Sequence, residues 1–500
     1  MTRSFVTSCF AIAAIVGLVS QSRGDVTYSP RDGEKPSVIR MTVTPAAEPV
    51  PALKYRLMPR DVDLKAGNAA TFYYRAFMEM PRTMEGLRKK YNDDEELSKW
   101  ESTGPDALPI AQLPLDKVRD VAKEIERPEI GGQVAEAMSR RDCDWQLGIE
   151  EMRGTDVVSF LLPEFQASRE VSRMLALRTR LAIAEKRYND AIDIMRMNYR
   201  LARDTAATPF LVCGLIGIAE VGITNGTAVD LIAAPDSPNL YWALTELPEP
   251  MIDMRKAARF ELDFGPRLFP FIDHPESTDH SPQEWNRLFT RAFQDLKELG
   301  VPGMPQDDLQ SGLFATGAAL LGYQNAKDQL IAQGMDAERV EKMSVGQVMA
   351  IYTSRNYQQF ADEWEKLWFV PFANSQQFNE MVEDRLRDAH PLGGGKSREV
   401  FPIVSILMPA VYSTRNAQIR MERDIAALRV IEALRMYAAA HEGKLPSKLD
   451  AIDKVPVPLN PATSKPFSYR LDGATAILEL PESDGVASNN CRYEIEIAAK

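Results

Sequence analysis

Histidine and cysteine are both scarce in this 500-residue chain, with four of each. Cys9, Cys143, Cys213 and Cys491 lie far apart, which excludes a disulfide framework and the close cysteine pairs of zinc and redox motifs. The chain has no Gly-x-Ser-x-Gly elbow, no dinucleotide fingerprint after a strand and no complete zinc motif. Positive charge is in deficit too. Asp and Glu outnumber Lys and Arg by 12, and that field disfavours nucleic acid and anionic membrane surfaces as partners. Each apolar run falls short of the ~20 residues that a spanning helix needs.

With 45% hydrophobic residues the chain can bury a sizeable core, and its length fits three or four domains. Arg3, the apolar run Phe5 to Val19 and the small residues Ser20, Ser22 and Gly24 follow the order of a secretory signal. Residues 1–24 are therefore read as a leader cleaved before Arg23 or Asp25. Cys9 sits inside the apolar core, which argues against a lipid anchor. Residues 25–60 carry Pro30, Pro36, Pro45, Pro49, Pro51 and Pro59 without helical periodicity and read as an extended arm.

Helical patterning takes over in residues 61–250. Leu175, Leu181 and Ile183 mark one helix, Arg187 to Asp190 a turn, and Ala191, Ile192, Met195 and Leu201 a second helix, together an αα-hairpin. Through Ala184, Tyr188, Ala191 and Ile192 this hairpin resembles a degenerate tetratricopeptide-type unit. With Cys143-Asp144-Trp145 and Leu162-Pro163, it also resembles a group of uncharacterised exported bacterial proteins, a likeness that implies no activity. Pro209 to Ile223 is apolar but contains Glu220, and so reads as a buried helix that Gly214, Gly217 and Gly222 let others approach closely. Asn225-Gly226-Thr227 matches a glycosylation acceptor.

Residues 251–392 predict a second helical region, interrupted by the aromatic, Pro-rich stretch Phe264 to Pro275, read as a lid or crossover. Gly393-Gly394-Gly395 then forms a hinge into a terminal domain, residues 393–500. There the apolar run Phe401 to Tyr412 feeds a helix with Ala427, Val430, Leu434 and Tyr437 on one face and Arg429 and Glu432 on the other. Gly443 and Pro446 stop it near His441. Phe467 to Leu471 and Ala474 to Leu480 flank the hairpin signal Asp472-Gly473, and Cys491 to Ile497 alternates as a third strand. The fold class predicted is mainly α: a helical-hairpin array with a small C-terminal α+β domain of one helix and a three-stranded antiparallel sheet.

The order of this terminal fifth resembles the tails of major type II secretion pseudopilins of the G type. The residues concerned are the apolar stretch and helix, Tyr437, Gly443-Lys444-Leu445-Pro446, Pro458-Leu459-Asn460-Pro461 and Lys465 to Arg470. Asn460 stands where that family carries Asp, and a neutral amide gives a hard cation less charge, so no calcium site is carried over.

Four constellations bear on chemistry. Gly393 to Ser397 has the look of a phosphate loop, but His390 occupies the first glycine position and a helix precedes it, so it reads as a linker. Asp273-His274 and Asp279-His280, with Glu276 and Glu284, offer ligands suited to a divalent metal but fit no established cage. Asp142-Cys143-Asp144-Trp145, with Glu150, Glu151 and Arg153, lacks a local histidine to activate the thiol and reads as a capped loop anchored by Trp145. His441-Glu442 lacks the second histidine of a zinc protease, since Leu445 stands there.

No catalytic, cofactor or metal residue is assigned. The expected function is an exported cell-envelope scaffold or adaptor that binds other envelope proteins. Membrane contact is expected only through an uncleaved leader or the run 401–412. The alternatives are an envelope metal-dependent hydrolase with its metal near His274 and His280, or a peripheral component of a pilin-type secretion or filament system.

Overall fold

The structure, a computed structural model, describes residues 26–29, 36–91, 94–148, 152, 163–278, 280–298, 317, 322–375, 378, 381, 384, 403–481 and 490–498. It is mainly α-helical with a small sheet. Two N-terminal strands, β1 (Val26–Ser29) and β2 (Ser37–Val43), precede the first long helix, α1 (Ala70–Tyr91). The helical body continues with α2 (Leu115–Glu126), α3 (Pro163–Ala184), α4 (Tyr188–Ala206) and α5 (Leu211–Ala233). A second helical region holds α6 (Arg255–Leu262), α7 (Phe264–Leu268), α8 (Pro282–Glu298) and α9 (Val345–Glu365). The chain ends in α10 (Ile403–Ala440) and the strands β3 (Ser468–Asp472), β4 (Thr475–Leu480) and β5 (Cys491–Ile497).

The αα-hairpin is α3 and α4, joined through Lys186 in the left-handed conformation. α5 packs on both. By length and composition α5 is apolar enough to cross a membrane, but most of it is buried against its neighbours. Two of its three early glycines admit close neighbours: a Cβ at Gly214 would lie 2.4 Å from the Met254 sulfur, and one at Gly217 would lie 2.6 Å from the Ala202 carbonyl oxygen. Gly222, expected to do the same, has nothing within 4 Å among the described residues, whereas Gly226 sits against Thr103. Asn225 is only 7% exposed and accepts a hydrogen bond from the Tyr199 hydroxyl at 2.7 Å. That side chain serves the core and is closed to glycosylation in the folded chain.

The sheet has five strands in the order β1-β2-β5-β4-β3, two more than the terminal hairpin and strand supply. β2 comes from the Pro-rich arm and runs parallel to β5, pairing Ser37 with Cys491 through Val43 with Ile497. Its alternation explains the fit: Ile39, Met41 and Val43 line up beside Tyr493, Ile495 and Ile497, making one apolar row across the two strands. β3 and β4 pair as expected, with Asp472 opposite Thr475, so the two loop residues are Gly473 and Ala474, one position later than the Asp-Gly signal suggests. Gly473 takes φ +61° there.

α10 incorporates Ile403 to Tyr412 of the apolar run and is therefore a rod of about 57 Å. It ends as predicted. Gly443 adopts φ +81° and its N–H donates to the Ala438 carbonyl at 2.8 Å. The expected solvated face is absent: every residue from Ile425 to Met436 is buried except half-buried Arg429, and Glu432 lies inside with the apolar residues. Sheet, α10 and helical body share one continuous core that includes Met41, Leu181, Leu231, Leu434 and Ile495. The second helical region has cores of its own, one around Phe269, Phe271, Trp285 and Trp364. Phe264 to Pro275 contributes buried Phe269, Phe271 and Ile272 to that core, and Tyr357 Oη donates to the Leu262 carbonyl beside it, so the stretch is a crossover and not a lid.

Candidate functional site

A cleft of ≈ 600 Å³ opens between the loop Cys143–Gly148, the α4–α5 connection at Ala207–Pro209, and α6–α7. It is the place where a constellation singled out in the sequence meets residues from a distant part of the chain.

The loop wall is rigid. Trp145 is buried, stacks near-parallel on Tyr73 and Phe77, and meets Tyr74 and Phe165 edge-on. Its indole N–H donates to the Asp204 carbonyl at 2.8 Å. Asn68 clamps Asp144 from both sides, Nδ2 donating to its carbonyl at 2.7 Å and Oδ1 accepting its N–H at 2.9 Å. The Asp144 carboxylate in turn accepts the Gln146 N–H at 3.0 Å, which helps hold Gln146 at φ 51°.

Behind this wall lies a buried polar cluster. Asp204 Oδ2 accepts from Tyr73 Oη at 2.9 Å and from Arg200 Nε at 2.8 Å, while Arg200 also donates to the carbonyls of Arg140 and Arg141. Burial raises the Asp204 carboxyl above its ordinary range, and Arg200 opposes that shift. Burial, then the Asp204 charge, drives the Cys143 thiol far up. A thiol held protonated is a poor nucleophile, and these groups are committed to structure. Asp142 ends the short strand Arg140–Asp142; Glu150, Glu151 and Arg153 lie outside the described residues.

The opposite wall carries the charge. Lys256, Arg259, Phe260, Asp263 and Arg267 recur at spacings of three or four along α6 and α7 and so fall on one side. Arg259 Nε pairs with Glu365 at 2.7 Å, and the Arg267 guanidinium lies 5.1 Å over the Phe260 ring. Lys256 makes no ion pair among the described residues. Thr208, which also lines the cleft, is 3% exposed and its Oγ1 has no hydrogen-bond partner among the described residues. Leu147, Pro209 and Phe260 add half-buried apolar surface. Sequence reasoning missed this wall; the basic and aromatic spacing from Lys256 to Arg267 was the signal that could have found it.

The remaining candidates are dispersed. His274 is 84% exposed at the side chain, with Asp273 3.6 Å away. Glu276 pairs with Arg355, Glu284 accepts the Ser281 N–H at 2.6 Å, and the His280 ring meets Trp285 edge-on. Asp279 lies outside the described residues, and so does Gly393 to Ser397. His441 stacks on Tyr437 at 3.8 Å, with Nδ1 2.8 Å from the Tyr437 carbonyl. Among the described residues no group of three or more His, Cys, Asp or Glu side chains is placed to hold a metal ion. The chain matches no protein-family model, no curated protein and no solved structure.

Proposed function

We propose that this chain is an exported cell-envelope scaffold or adaptor that works by binding another protein through the cleft between the Cys143–Gly148 loop and α6–α7. The observation that carries the reading is the contrast between the two walls. The titratable groups behind the loop are tied into structural bonds, whereas on the α6–α7 wall Lys256 makes no ion pair among the described residues and stands with half-buried Phe260 beside an open cleft. The leader-like order of Arg3, Phe5 to Val19 and Gly24 supports export.

Native purification from envelope extracts tests the proposal. Wild-type protein should co-purify with a reproducible set of envelope proteins that a folded Lys256→Glu/Arg267→Glu variant fails to bring down. Equal recovery by both forms would overturn the role of the cleft. Finding the chain in the cytosol with its leader intact would overturn export.

A further inference from the structure

Resting on that binding role, we propose that the cleft takes a carboxylate-bearing peptide segment of its partner, with the carboxylate on Lys256 and a neighbouring apolar side chain against Leu147, Pro209 and Phe260. Three observations converge. The chain as a whole is acidic, yet three of the five charged residues lining this cleft are cations, of which Arg259 is already paired with Glu365. Lys256 is exposed with no ion pair among the described residues, although carboxylates are abundant on the surface. Thr208 Oγ1, buried beside the cleft, has no hydrogen-bond partner among the described residues.

The lining also decides which anion. Asp144 and Asp263 share the cleft with the three cations. With Arg259 held by Glu365, a phosphate dianion seated there would set twice the negative charge of a single carboxylate against Asp144 and Asp263. The Arg259–Glu365 pair shows the same face already holding a carboxylate at 2.7 Å. The open side admits a through-running peptide, and the apolar patch supplies the part of the binding that charge does not.

Titration of the purified full chain with four capped tripeptides tests the proposal, read by NMR chemical shifts or calorimetry. Ac-Leu-Glu-Leu-amide carries a side-chain carboxylate, Ac-Leu-Gln-Leu-OH a terminal one, Ac-Leu-Gln-Leu-amide none, and the phosphoserine analogue a dianion. At least one carboxylate peptide should bind ~10-fold more tightly than the neutral and phosphorylated ones, and added salt should weaken it. Comparing the first two identifies the source of the carboxylate. Lys256→Glu, and separately Lys256→Gln, should reduce affinity ~10-fold or more without altering the circular dichroism spectrum. Equal affinity for neutral and acidic peptides, tighter binding of the phosphopeptide, unchanged binding by both Lys256 variants, or no saturable binding would each overturn it. If envelope proteins are still lost from the Lys256→Glu/Arg267→Glu variant in that last case, the binding role stands and only the carboxylate assignment falls.

Discussion

Glu432 and Arg435 face each other one helical turn apart on α10, with Oε2 and Nη1 2.9 Å apart and neither side chain exposed. Around them three distant segments meet. Arg435 donates from Nε to the Thr44 carbonyl at 2.9 Å and from Nη2 to the Ser237 carbonyl and hydroxyl at 2.9 Å. Glu432 accepts the Leu240 N–H at 2.9 Å, and the Arg435 carbonyl accepts the Ala46 N–H. The pair thus fastens the N-terminal arm, the connection after α5 and the terminal helix in one buried network. Glu432→Ala would leave the guanidinium without its counter-charge and should cost ~3–5 kcal/mol of stability. Urea unfolding measures this; a loss below ~1 kcal/mol would contradict the role given to the pair.

Truncation tests the arm directly. Without residues 1–46, β5 loses its parallel neighbour and exposes an apolar edge, and Arg435 loses its Thr44 and Ala46 partners. The shortened chain should elute as aggregate, or unfold far below the full chain. A monomer with an unchanged melting temperature would show that β2 contributes nothing.

Stability should fall as pH rises from about 4.5 to about 8 through Glu220. Its carboxyl is buried, accepts from Ser168 Oγ at 2.6 Å, and is pushed up from 4.5 to about 8 by desolvation. Between those values the folded chain keeps a proton that the unfolded chain has lost, so each pH unit costs at most about 1.4 kcal/mol. The contribution is fully present below 4.5 and gone above 8. Glu220→Gln should flatten the pH profile and gain on the wild type toward pH 8. Parallel melting curves for the two proteins at pH 5 and pH 8 would refute this assignment.

Two glycines on one helix should respond with opposite sign. Gly217→Ala drives a methyl to 2.6 Å from the Ala202 carbonyl and should destabilise by ~1–3 kcal/mol. Gly222→Ala meets nothing within 4 Å among the described residues and should stabilise by ~0.5–1 kcal/mol through restricted backbone freedom. Thermal melts of both variants check the sign, and the same sign for both would contradict the packing described for α5.

What could be read from the sequence was local. The αα-hairpin, the Gly443 stop and the β3–β4 hairpin each depend on residues within a few positions of one another. β2 could not be found this way. Its partner Cys491 to Ile497 lies more than four hundred residues downstream, and the surrounding prolines dominate the reading of Asp25 to Arg60. Glu432 was placed on a solvated face because periodicity weighs hydropathy and is blind to an Arg three residues on that neutralises a buried charge. The cleft divides between Cys143–Gly148 and Lys256–Arg267, so one wall was visible as a motif and the other was not. The acceptor pattern at Asn225 carries little weight for a related reason: three residues describe a motif but not its burial.

A photocrosslinking residue in place of Leu147, at the mouth of the cleft, tests the central claim most directly in intact cells. The account predicts adducts with envelope proteins that vanish when Lys256→Glu and Arg267→Glu are added, while the same probe at Met78, 79% exposed on α1, gives none of those adducts. Adducts at Met78 but none at Leu147 would place binding elsewhere and contradict the account.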